Sequence, residues 1–272
     1  MYACDFEYDG KSLSDFGFVI ATIGGSSGVN VADSGSEITF VMSPIQSGKR
    51  FIAGGSKYDK CLETTFQICK NPSLGGCGGM EISPEEFRTM SRWLNRREFL
   101  WFRAMDWFDP GSARAWVRAS FTLSRVEVDG VTYGIELRMQ TDSPFCYGDE
   151  IVEHLNFTSG ALSAALIDEN DEIGETYPAL TITCGDAGTL SLSDDITECS
   201  CSIDNCVSGE VITFSGDTKI IASTNVAHDI VNDFNYDFFR FGNTYDNTEN
   251  VITASMPCTV ELRYRPIYKD TL

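Results

Sequence analysis

The chain has 272 residues, 42% of them hydrophobic, and a formal net charge of -20. That length suits two ordinary domains at least as well as one large core, and that charge sets the chain against a phosphate backbone unless basic residues gather on one face. No run nears the roughly 18 consecutive apolar residues of a membrane-spanning helix, and the opening residues lack the basic and apolar regions of a secretory signal. No membrane anchor is expected, and the chain reads as soluble and cytoplasmically made.

In the first half, alternation of apolar and polar residues at 37–42, 61–69, 115–123 and 133–139 predicts half-buried strands. Glycine-rich stretches at 24–28, 47–50 and 75–79 predict loops, and none of them has the spacing of a phosphate-binding loop. One helix is predicted over 84–97. Ser83 supplies its N-cap, Pro84 its first residue, and Glu86 closes a capping box. Phe87, Met90 and Leu94, joined by Trp93 and Phe99, make the packing face, which leaves Arg92, Arg96 and Arg97 to solvent.

The second half reads as short strands at 179–184, 189–192, 200–203, 210–214, 219–221, 238–241 and 259–264. Gly, Asp and Asn punctuate them at roughly the 8–12 residue spacing of a sandwich. The fold class is therefore mainly β: an N-terminal barrel-like or open β-sheet with one α-helix, then a C-terminal β-sandwich.

Charge divides the chain at the same place. Residues 1–145 hold 15 Lys and Arg against 18 Asp and Glu, whereas residues 146–272 hold 5 against 22. No Lys or Arg lies between Arg138 and Lys219. The stretch from Asp142 through Pro144 to Gly148 suits a linker, since proline disfavours helix before it and glycine permits a change of direction. Domains are expected at 1–145 and 146–272.

Little in the sequence carries catalytic chemistry. The only histidines are His154 and His228, so a Ser-His or Cys-His pair must use one of these. The ten cysteines are diluted through a chain large enough to fold unaided, and reduced thiols are expected. Cys184, Cys199, Cys201 and Cys206 have the wrong spacing for familiar zinc sites, with 200–206 reading as a strand running into a turn. The acidic stretch Asp168–Glu172 fails as a calcium loop, because Ile173 and Ala179 stand where Gly and Glu belong, and it reads as a solvated turn, with a looser calcium site made by side chains converging from other loops as the alternative. No catalytic residue, metal ligand or cofactor is assigned. The aromatic run 236–245 offers rings for stacking on a sugar, with one face of any strand there needed for the core. Tyr236, Phe239 and Tyr245 are the candidate carbohydrate contacts.

Residues 6–20, containing Ser14-Asp-Phe-Gly17, resemble the start of distal tail proteins of long-tailed phages. Residues 84–100, with their Trp93-Leu94 pair, and 137–145 resemble that family's helix and the strand closing its first domain. Residues 238–252 and 260–266 are similar to the last strands of its C-terminal galectin-like domain. The resemblance spans both halves. It implies a homo-oligomeric ring, usually a hexamer, at the distal end of the tail tube, with an N-terminal belt domain and an outer galectin-like sandwich whose last strand returns toward the belt.

Such a ring joins the tail-tube protein to the tail-tip or baseplate hub protein and receptor-binding parts. It implies location in the virion tail after assembly in the host cytoplasm, DNA passing through without specific binding, and no enzymatic activity. The alternative from the residues is a carbohydrate-binding module recognising a host glycan.

Overall fold

The computed structural model describes residues 3–23, 37–44, 50–58, 60–75, 79–106, 115–216 and 218–269, so the expected glycine-rich loops lie wholly or partly outside the described residues. The chain folds as two compact units, Met1–Tyr147 with Tyr268–Leu272, and Gly148–Ile267. Among the described residues no helix is long and apolar enough to cross a membrane.

The first unit contains β1 (Ala3–Tyr8), β2 (Lys11–Ser12), β3 (Phe18–Ala21), β4 (Glu37–Pro44), β5 (Arg50–Lys57), β6 (Glu63–Lys70), β7 (Leu100–Asp106), β8 (Val117–Val128), β9 (Val131–Thr141) and β10 (Cys146–Tyr147). Seven of them form one antiparallel sheet in the order β2-β1-β7-β8-β9-β6-β3. Two Asp-Gly turns set its hairpins. Asp9 and Gly10 (φ 52° and 69°) join β1 to β2, and Asp129 and Gly130 (φ 51° and 82°) join β8 to β9. Both central residues of such a turn need the left-handed region, which Asp tolerates and Gly adopts freely.

Two helices accompany the sheet, α1 (Pro72–Gly75) and α2 (Pro84–Leu94). The capping box forms as the sequence predicts: Ser83 Oγ accepts the Glu86 N–H, and a Glu86 carboxylate oxygen accepts the Ser83 N–H. Helix α2 ends at Leu94, three residues short of the expected 97. Leu94 is its last buried residue; residues 95–98 are exposed, so no further burial favours another turn. Met90, Trp93 and Leu94 fill the core with Phe6, Tyr8, Phe102 and Phe121. Trp93 is stacked between Phe6 and Phe16, at centroid distances of 5.6 and 4.3 Å. Burying each such ring stabilises the unit by about 1.5–3 kcal/mol.

The second unit contains β11 (Ile151–Phe157), β12 (Ser163–Ile167), β13 (Gly174–Thr176), β14 (Ala179–Cys184), β15 (Gly188–Asp194), β16 (Ser200–Cys206), β17 (Val211–Ser215), β18 (Ile220–Ser223), the short helix α3 (Ile230–Asp233), β19 (Phe241–Asn243), β20 (Glu249–Ala254) and β21 (Cys258–Tyr264). A last strand, β22 (Ile267–Tyr268), begins where the unit ends. A five-stranded sheet, β11-β21-β14-β17-β18, and a four-stranded sheet, β12-β20-β15-β16, share one core, with a small β13-β19 pair beside them. Inward residues alternate along each strand, as at Leu180, Ile182 and Cys184 on β14 and Val260, Leu262 and Tyr264 on β21. The fold is mainly β, with a sandwich in the second half.

Three local readings change. Residues 200–206 stay in one strand: Asn205 (φ 57°) sits where the β15–β16 register shifts, and this bulge returns Cys206 to the core instead of ending the strand. The strand expected at 238–241 begins only at Phe241 and runs to Asn243. The residues before it lie along β16, where Asn235 and Asp237 accept the Ser202 and Ser200 N–H groups through their side chains. Asp168–Glu172 is not a solvated turn, because Asp168 and Asn170 are buried.

Candidate functional site

Two surfaces stand out. In the first unit, β4 and β5 pair residue for residue from Glu37↔Lys57 to Pro44↔Arg50, and neither pairs with another described strand. Eight residues of extended chain reach roughly 25 Å. An isolated two-stranded ribbon is marginally stable in water, so a long one is a natural arm for pairing or packing against another chain.

In the second unit, residues 224–240 belong to no strand and run past β16. Polar anchors hold them down. His228 is the central one: its side chain is 1% exposed and its Nδ1 lies 2.5 Å from Glu210 Oε1, while Nε2 donates to the Asp204 carbonyl at 2.9 Å. Asp233 Oδ2 is 3.3 Å from the same Nε2. Burial disfavours the imidazolium, but the hydrogen bond and charge of Glu210 outweigh it and hold the His228 pKa above its ordinary value. Burial likewise raises the Glu210 pKa, and the Ser223 hydroxyl, His228 and the Val207 N–H outweigh it and hold it low. With both ring nitrogens committed, His228 has none free to take a proton from a nucleophile. Ser223 Oγ donates to Glu210, not to the ring, so these residues form a strut, not a hydrolytic triad. His154, the other histidine, is exposed beside Glu261 at 3.9 Å.

The candidate sugar contacts separate by burial. Phe239 is only 3% exposed and belongs to the core, whereas Tyr236 and Tyr245 are 61% and 89% exposed. Tyr236 has φ 60° and donates its hydroxyl to the Val231 carbonyl. Nearby chemistry that the aromatic spacing did not reveal includes the Lys219 ammonium, 2.8 Å from the centroid of the Tyr177 ring and 5.5 Å from that of Phe238. Arg240 bridges Glu175 at 3.1 Å and Asp237 at 2.6 Å.

Among the described residues no group of three or more His, Cys, Asp or Glu is placed to hold a metal. Cys184, Cys199, Cys201 and Cys206 are all buried free thiols. Burial pushes the Cys201 thiol up to about 12 and Cys258 up to about 11, away from the thiolate that binding or nucleophilic attack requires.

Comparison with curated proteins finds no match. In fold the chain is similar to the crystal structure of SPP1 Dit, described as a paradigm of the hub adsorption apparatus in phages infecting Gram-positive bacteria. The match covers 96% of this chain and 98% of that one, at a TM-score of 0.62 and 14% identity. The model of a phage tail protein N-terminal domain matches residues 1–143 and that of a phage tail C-terminal domain matches residues 145–264, so the chain belongs to this family of phage tail proteins.

Proposed function

We propose that this tail protein is a structural hub: a hexameric ring at the distal end of the tail tube, joining the tube to the tail tip or baseplate and to receptor-binding parts. The observation that carries this reading is the β4–β5 ribbon, which pairs with no other described strand, and a two-stranded ribbon is only marginally stable by itself. The likeness to SPP1 Dit over nearly the whole chain, and membership of a tail family, support the same role. The ring takes its place in the virion tail after assembly in the host cytoplasm. Its work is assembly, not catalysis, and DNA is expected to pass through its centre without specific binding.

Negative-stain imaging and light scattering of the purified protein test this. Six-fold rings with an open centre are expected. A chain that stays monomeric at every concentration, and is missing from tails by mass spectrometry, overturns the proposal.

A second reading, host-glycan binding by the outer unit, rests on the exposure of Tyr236 and Tyr245. Calorimetric titration of the full chain with host wall polysaccharide tests it: loss of binding in Tyr236→Ala or Tyr245→Ala supports it, and no heat of binding in the parent removes it.

A further inference from the structure

The sandwich buries two carboxylates that lack counter-ions. Strand β20 lies between β12 and β15, with Leu166↔Asn250 on one side and Asp194↔Ile252 on the other. Asn250, Ile252 and Ala254 are its inward positions. Asp168 follows the end of β12, its N–H bonded to the Thr248 carbonyl, and Asp194 ends β15. Asp168 and Asp194 therefore flank Asn250 at one end of the four-stranded sheet. All three are buried, at 3%, 3% and 0% exposure.

Each carboxylate is half satisfied. Asp168 Oδ1 accepts the backbone N–H and the side-chain amide of Asn170, while Asp168 Oδ2 has no partner and no solvent contact. Asp194 Oδ2 accepts the N–H and hydroxyl of Thr197, both at 2.8 Å, while Asp194 Oδ1 is likewise without partner or solvent. Neither makes a salt bridge with a Lys, Arg or His among the described residues. A buried carboxylate without a counter-charge costs several kcal/mol, so two at one end of a sandwich require neutralisation. The two sense each other: burial raises the Asp168 pKa, hydrogen bonds from Asn170 oppose it, and the charge of Asp194 raises it further.

The surroundings are rich in oxygen. Asn250 Oδ1 accepts the Gly242 N–H, Asn243 donates to the Asn170 carbonyl, and the Tyr264 hydroxyl bonds the Ile167 carbonyl. Through Gly242 and Asn243, the β13–β19 pair caps this end.

We propose that Asp168 and Asp194 hold a hard divalent cation of the calcium class, bound through their two unpartnered oxygens. The remaining ligands are amide or carbonyl oxygens of the surrounding network and water. Calcium takes six to eight oxygens in a flexible shell, which suits a site offering two charges and neutral oxygens; magnesium requires a stricter octahedron and keeps its water. The cation ties the ends of β12 and β15 together across β20. The site is not contained in the 168–179 loop pattern, because its second carboxylate comes from a different strand.

The test uses the full chain, stripped with chelator and titrated with calcium chloride or magnesium chloride at constant ionic strength. Calorimetry and thermal melting are read, together with terbium luminescence sensitised by tyrosine and displaced by calcium. One calcium per chain is expected, with a melting temperature that rises with calcium and much less with magnesium. Asp168→Asn and Asp194→Asn are each expected to weaken calcium binding about tenfold or more, while the exposed control Asp186→Asn leaves it unchanged. Absence of calcium binding in the parent overturns the proposal. So does equal weakening in the control, which indicates a diffuse acidic surface, or stabilisation of an Asn variant with no calcium effect in the parent, which indicates a shared proton. If both variants fail to fold, the parent's terbium stoichiometry and its displacement by calcium decide.

Discussion

The His228 imidazole and the Glu210 carboxylate, 18 residues apart, meet at 2.5 Å with side chains 1% and 0% exposed. The pair pins the segment 224–240 to the sandwich. Removing one partner leaves the other charge buried, the costly half of such an interaction, so His228→Ala is expected to destabilise the second unit by about 3 kcal/mol. Glu210→Gln, which keeps hydrogen-bonding atoms, is expected to cost less. Urea unfolding followed by circular dichroism measures both.

The same pair sets a pH window. The folded pKa of His228 is raised from its ordinary 6.5, so its contribution is fully present below 6.5 and is lost as pH rises through the raised value. The folded pKa of Glu210 is lowered from its ordinary 4.5, so its contribution is present above 4.5 and is lost as pH falls through the lowered value. The stability difference between parent and His228→Ala is therefore expected to be largest between pH 4.5 and 6.5 and to shrink on either side. A difference that stays flat from pH 4 to 9 contradicts this assignment.

Local signals were legible in the sequence where the physics is local. Ser83, Pro84 and Glu86 announce the start of α2 because all three act within one turn. The apolar alternation of 179–184 marks β14 at both ends. The Asp-Gly pairs at 9–10 and 129–130 are equally local turn signals, each joining the two strands of a hairpin. The failures involve distant partners. Asp168–Glu172 looks like a solvated turn until Thr248, 80 residues later, takes the Asp168 N–H. The aromatic stretch 238–241 looks like a strand, but Asn235 and Asp237 cap the β16 edge with side chains, an arrangement no periodicity encodes. The same limit explains Phe239: its burial depends on which sheet it meets.

Trp93 donates its indole N–H to the Tyr8 carbonyl at 3.1 Å while stacking between Phe6 and Phe16. Trp93→Ala is expected to cost about 3–5 kcal/mol through the cavity it leaves. Trp93→Phe keeps much of the apolar volume but loses the hydrogen bond to the Tyr8 carbonyl, for a loss of about 1 kcal/mol. Chemical denaturation resolves the two steps: no loss in Trp93→Phe argues that the hydrogen bond contributes nothing, and equal losses argue that the ring volume contributes nothing.

Gly242 pairs with Glu175 in the β13–β19 ladder, and a Cβ there meets the Gly174 carbonyl oxygen at 2.4 Å. The contact is with backbone, so no side chain can swing aside. Gly242→Ala is expected to destabilise the second unit by about 1–3 kcal/mol. Faster hydrogen exchange at Gly174–Thr176 than in β14 is the accompanying signature, and an unchanged exchange rate there argues against a forced separation of the two strands.

The β4–β5 ribbon allows assembly to be separated from folding. Glu37 and Lys57 face each other at its base, so residues 38–56 can be excised and the two ends joined through an Asn-Gly turn with little displacement of the flanking chain. The seven-stranded sheet contains neither β4 nor β5. The shortened protein is therefore expected to fold with an unfolding free energy within about 1 kcal/mol of the parent monomer, since it gives up a ribbon that is marginal alone. Light scattering should then report monomers at concentrations where the full chain forms rings. Rings of unchanged symmetry and stability from the shortened chain would show that the ribbon is not the arm between neighbours, and would move the contact to another surface, with the sheet's terminal strands β2 and β3 the next to test.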